Sequence, residues 1–143
     1  MPIRNANASD LARVRALLEV ARLPVEDLEA ERISFLVAEG AGGFEGVVGL
    51  QAFADAGLLR SLAVEPRVRG QGLGQRLVAA AEDQARAAGV DQLFLLTLTA
   101  ESFFRRLGYR RVERGSVPAS IQATAEFASI CPASAACMAR RIG

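Results

Sequence analysis

Val64-Glu65-Pro66-Arg67-Val68-Arg69-Gly70-Gln71-Gly72-Leu73-Gly74 joins an apolar, strand-like run to a segment of helical periodicity through a basic loop with alternating glycines. The two arginines carry fixed positive charge. Glycines let backbone N–H groups approach an anion closely, and the unpaired donors of a helix start add the positive end of its dipole. The junction is therefore a phosphate cradle into which a pyrophosphate fits.

Spacing separates the anion-binding loops that share this chemistry. A P-loop needs lysine after its last glycine, and all 17 members of the Lys+Arg count are arginine. The glycines at 70, 72 and 74 miss the G-x-G-x-x-G spacing of a dinucleotide fold, and the unit sits mid-chain. What remains is Arg69-x-x-Gly72-x-Gly74. Working outward, 57–64 reads as the strand before the loop, 72–88 as its helix and 92–97 as an apolar strand buried on both faces. Upstream, Asn7 or Ser9 caps a helix with Leu11, Val14, Leu17, Leu18 and Ala21 at helical spacing, ending before Leu23-Pro24. A short helix over 25–31 and strands over 33–39 and 46–53 follow, separated by glycine-rich turns, with an antiparallel meander as the simplest pairing. Downstream the pattern predicts a short helix over 100–107, a strand over 109–112, a helix from Pro118 to about Ser129, and a last strand over 136–142.

With 143 residues and 51% hydrophobic content the chain has the size of one domain, 1–143. Net charge is +1 without a basic run, which gives a nucleic-acid or anionic-membrane role no electrostatic support. No apolar stretch approaches the roughly 20 residues of a membrane span, and the N-terminus lacks a secretory core, so the expected location is cytoplasmic. The absence of histidine excludes His-based catalysis. Two cysteines, Cys131 and Cys137, do not make an ordinary zinc site; they read as buried free thiols, and no metal is expected.

At Arg69-x-x-Gly72-x-Gly74, with its strand-helix-strand setting, the chain resembles the GNAT N-acetyltransferases, over 33–112 in particular. The resemblance implies an α/β fold: a mixed central sheet of six to seven strands flanked by four to five helices, splayed between strands 4 and 5. It implies acetyl-coenzyme A as co-substrate. Leu62, Ala63 and Val64 would pair with the pantetheine arm at the splayed strand. Arg69, Gly70, Gln71, Gly72, Leu73, Gly74 and Gln75 would hold the pyrophosphate. The family's second signature, roughly Asn-x-x-Ala-x-x-Phe-Tyr-x-x-x-Gly-Phe, aligns with the stretch from Thr97 to Tyr109. Thr97 stands for the asparagine that helps hold the pantetheine, and Phe104 for the tyrosine that commonly protonates the departing thiolate. A thiol of pKa about 8.5 lies about 1.5 units above neutral pH, so losing that acid costs about 2 kcal/mol. Typical enzymic barrier lowering is about 8 kcal/mol or more, which leaves positioning and oxyanion stabilisation to carry the reaction.

Leu96-Thr97, Phe103-Phe104 and Ile130-Cys131-Pro132 resemble the acetylglutamate-synthase type of amino-acid N-acetyltransferase. The runs from Leu59 to Val64 and Ala123 to Phe127 resemble the short acetyltransferases associated with bacterial arsenic resistance. Both imply transfer to the amine of a small, amino-acid-like acceptor. Acetyl-coenzyme A binding without turnover and protein or peptide acetylation are the competing readings, and a homodimer is the one protein partner admitted. Arg60 is a candidate clamp for a substrate carboxylate, with an outward strand arginine paired with an acidic neighbour as the alternative. Because strand residues alternate, either Arg60 or Ser61 is expected to face the site. Glu126 and Thr124 are further pocket candidates, with a solvated helix face as the alternative. Glu39, Glu45 and Glu126, or a water chain ordered by Ser61 and Thr97, are the candidate bases. An α-amine near pKa 8 costs about 3 kcal/mol less to deprotonate than a lysine near 10.4.

Overall fold

The computed structural model describes residues 2–29, 32–54 and 56–143, with the side chains of 129 and 130 excepted. Its strands are β1 (Ile3–Asn5), β2 (Ser34–Gly40), β3 (Gly43–Ala52), β4 (Gly57–Val64), β5 (Gln92–Thr97), β6 (Arg110–Arg111) and β7 (Ala136–Arg141). Its α-helices are α1 (Leu11–Val20), α2 (Leu73–Ala87), α3 (Glu101–Arg106) and α4 (Ala119–Gln122). The strands form one mixed sheet in the order β1-β2-β3-β4-β5-β7-β6. Only the β4–β5 pair is parallel; every other neighbour is antiparallel. This is the expected α/β architecture, with seven strands.

Strand alternation divides the core. Leu36 and Ala38 of β2 join the cluster packed by α2, while Phe35 and Val37 join the cluster packed by α1. In α2, Leu73, Leu77, Val78, Ala81 and Ala85 are buried along one stripe. Each fully buried leucine contributes roughly 1.5–3 kcal/mol. The helix sits close because Gly46 lies beneath it, where an added Cβ would stand 2.7 Å from Leu77 Cδ1. Gly46→Ala would therefore force the Leu77 and Leu73 side chains to repack. On the α1 side, the Asn7 side chain accepts from the Ser9 amide at 3.0 Å, and Asp10 accepts from the Asn7 amide at 2.9 Å. This capping box forms a 3-10 turn that leads into α1.

Two features shape the site. The parallel pairing of β4 and β5 stops after Gly57↔Leu93 and Leu58↔Phe94, so the strands diverge from Leu59 onward. In addition, β4 carries a bulge: Val47 pairs with Ala63 and Gly49 with Arg60, leaving Ser61 and Leu62 opposite Val48. Ser61 takes the left-handed conformation, with φ +58°, an uncommon choice for a residue with a Cβ. The extra residue resets the alternation, so Leu59 and Leu62 share the α2 side while Ala63 joins the α1 cluster.

Several expected elements differ. β1 was not anticipated; three residues are too few to show alternation. The helix expected over 25–31 is absent from its described part, where consecutive turns run over 26–29; residues 30 and 31 lie outside the described residues. Asp27 and Leu28 are buried there by tertiary contacts that outweigh local helix propensity. The single helix expected from Pro118 to about Ser129 is α4 followed by a π-helical turn over Glu126–Ile130. The buried Thr124 hydroxyl donates to the Ile121 carbonyl at 2.6 Å, the side-chain-to-backbone bond that competes with helix continuation.

Candidate active site

The glycine-rich loop turns into α2 where its glycines predict. Gly70 and Gly72 adopt positive φ of +82° and +81°, which bring the chain round into α2. The first amide to close on this turn is that of Arg76, which donates to the Gly72 carbonyl at 3.1 Å. The preceding donors at the helix start are the orphan N–H groups of any helix. Arg69 Nε donates to the Val64 carbonyl at 3.1 Å, which ties the loop to the end of β4 and leaves the rest of the guanidinium outward. Arg67 turns away instead, 2.6 Å from Glu65 and 3.9 Å from Glu45. Of the two arginines read as cradle charges, Arg69 alone stays with the loop. Gly74 packs under α3, where an added Cβ would lie 3.2 Å from the Phe103 ring. Positive φ, orphan donors and an adjacent strand edge left open by the splay suit a pyrophosphate with an extended arm.

Between the diverging strands lies a cavity of about 680 Å3. Leu59, Arg60, Ser61 and Leu62 line it from β4, and Leu95, Leu96 and Thr97 from β5. The turn after α1 contributes Arg22, Leu23 and Glu26; the far wall carries Phe104, Glu126 and Cys131. Two smaller hollows, of about 380 and 440 Å3, lie against β6 and β1. Ser61 and Thr97 thus share one chamber with Arg60 and Glu126, and the bulge overturns the expectation that either Arg60 or Ser61, but not both, faces it. Ala63, Val64 and the loop from Arg69 to Gln75 do not line this chamber.

Arg60 is 3% exposed and fully engaged. Its Nη1 donates to Asp27 Oδ2 at 2.5 Å and to Gln51 Oε1 at 3.1 Å; its Nη2 donates to Asp27 Oδ1 at 2.7 Å. Its Nε lies 3.1 Å from Ser61 Oγ and 3.3 Å from Glu126 Oε2. The bidentate face offered by sequence to a substrate carboxylate is held by Asp27 in just that manner. This corrects the assignment of Arg60 as a free clamp. Arg22 is the other arginine of the chamber: it is exposed, follows α1 at φ +59°, and has no ion pair among the described residues. No pattern in the sequence marks Asp27 as its partner, and only the break before Leu23-Pro24 hints at Arg22.

The candidate bases separate cleanly. Glu39 is held at 3.0 Å by both Arg4 and Arg13 away from the chamber, and the Arg4 hydrogen bond, followed by that of Arg13, lowers its pKa. Glu45 is the bulged residue of β3 and folds over Gly40, where an added Cβ would meet its carboxylate at 2.4 Å. Glu126 lines the chamber and is 4% exposed, as is Thr124, so neither lies on a solvated helix face. The Thr97 hydroxyl accepts the Ala100 amide at 3.0 Å and retains its own proton to donate.

Phe104 is buried against Phe103 and Tyr109 in edge-to-face contacts, with centroids 5.1 and 5.6 Å apart. Tyr109 is the sole tyrosine. It is buried, does not line the chamber, and donates to Glu82 Oε2 at 2.8 Å, an oxygen also reached by Arg140 at 2.8 Å. Burial, reinforced by Glu82, pushes its pKa up, so it is no acid for a leaving thiolate. Both cysteines are free. Burial pushes the half-buried Cys131 thiol up to about 12, with the Glu126 charge adding to the effect.

The acetyltransferase (GNAT) domain model matches residues 31–111. The chain belongs to the GNAT acetyltransferase family. It is 30% identical over 129 residues to the amino-acid acetyltransferase of Neisseria meningitidis, a match covering 81% of this chain and 29% of the relative. It therefore spans about three tenths of the length of such relatives. It is 32% identical over 128 residues to an N-acetyltransferase of Chlorobaculum tepidum, covering 83% of this chain and 81% of that one. Among solved structures, N-acetylglutamate synthase from Neisseria gonorrhoeae, complexed with coenzyme A and N-acetyl-glutamate, superposes with a TM-score of 0.83 at 26% identity. That match covers 99% of this chain and 35% of the synthase. A Mycobacterium tuberculosis protein in complex with coenzyme A and NLQ gives 0.79 at 26% identity, covering 99% of both chains. No described helix is long and apolar enough to cross a membrane.

Proposed function

We propose that this domain transfers acetyl from acetyl-coenzyme A directly to the amine of a small amino acid or amino-acid-like molecule in the cytoplasm. The supporting observation is the chamber itself: it opens where β4 and β5 part, on the strand that leads into the glycine-rich loop before α2, and is mostly apolar with charges of both signs at its edge. The relatives named amino-acid acetyltransferase support the same acceptor class. In this reading the strand edge at Leu62, Ala63 and Val64 receives the pantetheine, Arg69 and the amides from Gly70 to Gln75 hold the pyrophosphate, and Thr97 and Phe104 border the thioester. Arg22, which has no ion pair among the described residues, takes the acceptor's carboxylate.

No group in the chamber is poised to carry the acyl chain. A thiol with its pKa pushed up to about 12 is almost wholly protonated near neutral pH, which favours direct transfer over a Cys131 acyl intermediate. Purified protein is to be incubated with acetyl-coenzyme A and a panel of amino acids, their arsenic- and phosphorus-containing analogues, polyamines and peptides, with products read by mass spectrometry. Acetylation of an amino-acid-like member is expected, with KM raised by Arg22→Ala. Acetylation of polyamines or peptides alone overturns the acceptor class. Binding of acetyl-coenzyme A without any product overturns transfer and favours a binding protein.

A further inference from the structure

We propose that Glu126 is the base that removes a proton from the acceptor's ammonium, and that Asp27 and Arg60 are positioning residues that hold it ready. The inference rests on the transfer reading above and assigns the proton path within that site.

Among the described residues the chamber has two carboxylates on its wall, Glu26 and Glu126. Glu26 is exposed, and its Oε1 accepts the Val25 amide at 3.0 Å. Glu126 is 4% exposed and opens the π-helical turn over Glu126–Ile130; π turns recur at functional positions because they re-aim a side chain out of helical register. Its carboxylate meets Arg60 Nε at 3.3 Å, so its orientation is fixed from β4. A lone arginine there would make Glu126 a poor base, because an adjacent cation favours the ionised carboxylate. Asp27 offsets that cation by gripping both terminal nitrogens of Arg60 from the opposite side. The charged and titratable groups around Glu126 are thus Arg60 on β4, Asp27 on the turn after α1, Cys131 at the end of the π turn, and Arg114, which donates to the Phe127 carbonyl at 2.9 Å. Arg22 and Glu26 face the same space.

The step balances without a further acid. Glu126 takes one proton from R-NH3+, giving R-NH2. The amine nitrogen bonds to the thioester carbonyl carbon, the C–S bond breaks, and the sulfur leaves with the electron pair. The nitrogen still holds one proton more than the amide needs, and that proton passes to the thiolate. Products are the N-acetyl compound, coenzyme A thiol and a proton that Glu126 returns to solvent. The same balance explains why Phe104 is tolerated where a tyrosine acid is common.

The test compares wild type, Glu126→Gln and Glu26→Gln with the best acceptor of the panel, measuring kcat/KM from pH 6 to 10 together with acetyl-coenzyme A Kd and thermal melting. A positioned base contributes about 10²- to 10⁴-fold. Glu126→Gln is expected to lose at least about 100-fold at pH 7, with Kd for acetyl-coenzyme A unchanged. The deficit should shrink about tenfold per pH unit as solvent deprotonates the amine. A structural role would give a deficit independent of pH and a lowered melting point. That result, or a pH-dependent loss in Glu26→Gln instead, overturns the assignment while the transfer reading stands. A wild type that acetylates nothing overturns both.

Discussion

Asp27→Asn removes one charge from the buried knot around Arg60 while keeping the side chain's volume. In the native protein two carboxylate oxygens face two guanidinium nitrogens at 2.5 and 2.7 Å. An amide offers one oxygen and one NH2, so one of the contacts becomes donor against donor. Removing one partner of a buried pair costs about 3–5 kcal/mol, because the surviving charge is stranded. Glu126, 3.3 Å from Arg60 Nε, retains part of the compensation, so the lower end applies, about 3 kcal/mol. At about 2–4 °C per kcal/mol for a domain near this size, Tm should fall by about 6–12 °C. The assay is thermal and urea unfolding of Asp27→Asn, Arg60→Met and the double variant. A coupling of at least about 1.5 kcal/mol between the two sites is expected, since they share one contact. A Tm drop below about 2 °C, or additive single effects, would refute the reasoning and return Arg60 to the substrate.

Gly72→Ala forces a Cβ into φ +81° with open space around it, the nearest neighbour being Gln75 Oε1 at 3.9 Å. The cost is backbone strain of about 1–2 kcal/mol, and Kd for acetyl-coenzyme A by calorimetry should rise about 5- to 30-fold; an unchanged Kd would show that the turn is not needed for binding. Cys131 should react with iodoacetamide at pH 8 about 10³-fold more slowly than an ordinary thiol, since burial pushes its pKa from 9.0 to about 12; fast modification mapped to Cys131 by mass spectrometry contradicts its placement. Asp10 is held down to about 2 from 3.8, first by the Arg4 hydrogen bond and then by the Asn7 amide. Its folded pKa is the lower one, so its contribution is complete above about pH 4 and is lost as pH falls toward 2. The stability gap between wild type and Asp10→Asn should therefore be level from pH 7 to 5 and close on acidification; a gap that widens in acid contradicts the pairing.

The sequence made the cradle and its flanking elements legible because each rests on local chemistry: glycines where φ turns positive, an apolar stripe along α2, an apolar run for β5. The chamber was legible only in part. Ser61, Thr97 and Glu126 were named, but the partner of Arg60 sits 33 residues away on a turn with no periodic signal. The rule that strand neighbours face opposite sides failed at Arg60 and Ser61, because nothing in Leu-Leu-Arg-Ser-Leu-Ala-Val announces an inserted residue. Thr124 looked like a helix-face residue because the hydroxyl bond that ends α4 is invisible without the fold.

The left-handed kink at Ser61 separates β4 into two stretches of opposite phase. Upstream of it, Leu59 lies on the α2 side and lines the chamber beside Arg60; downstream, Leu62 returns to the α2 side and Ala63 joins the α1 cluster. Deleting this one residue would rotate Leu62, Ala63 and Val64 by half a turn, exchanging core and edge in a single stroke. Substitutions on the upstream stretch leave that phase untouched. Under the proposed function, the edge at Leu62, Ala63 and Val64 owes its side-chain phase to the kink and not to the residues before it.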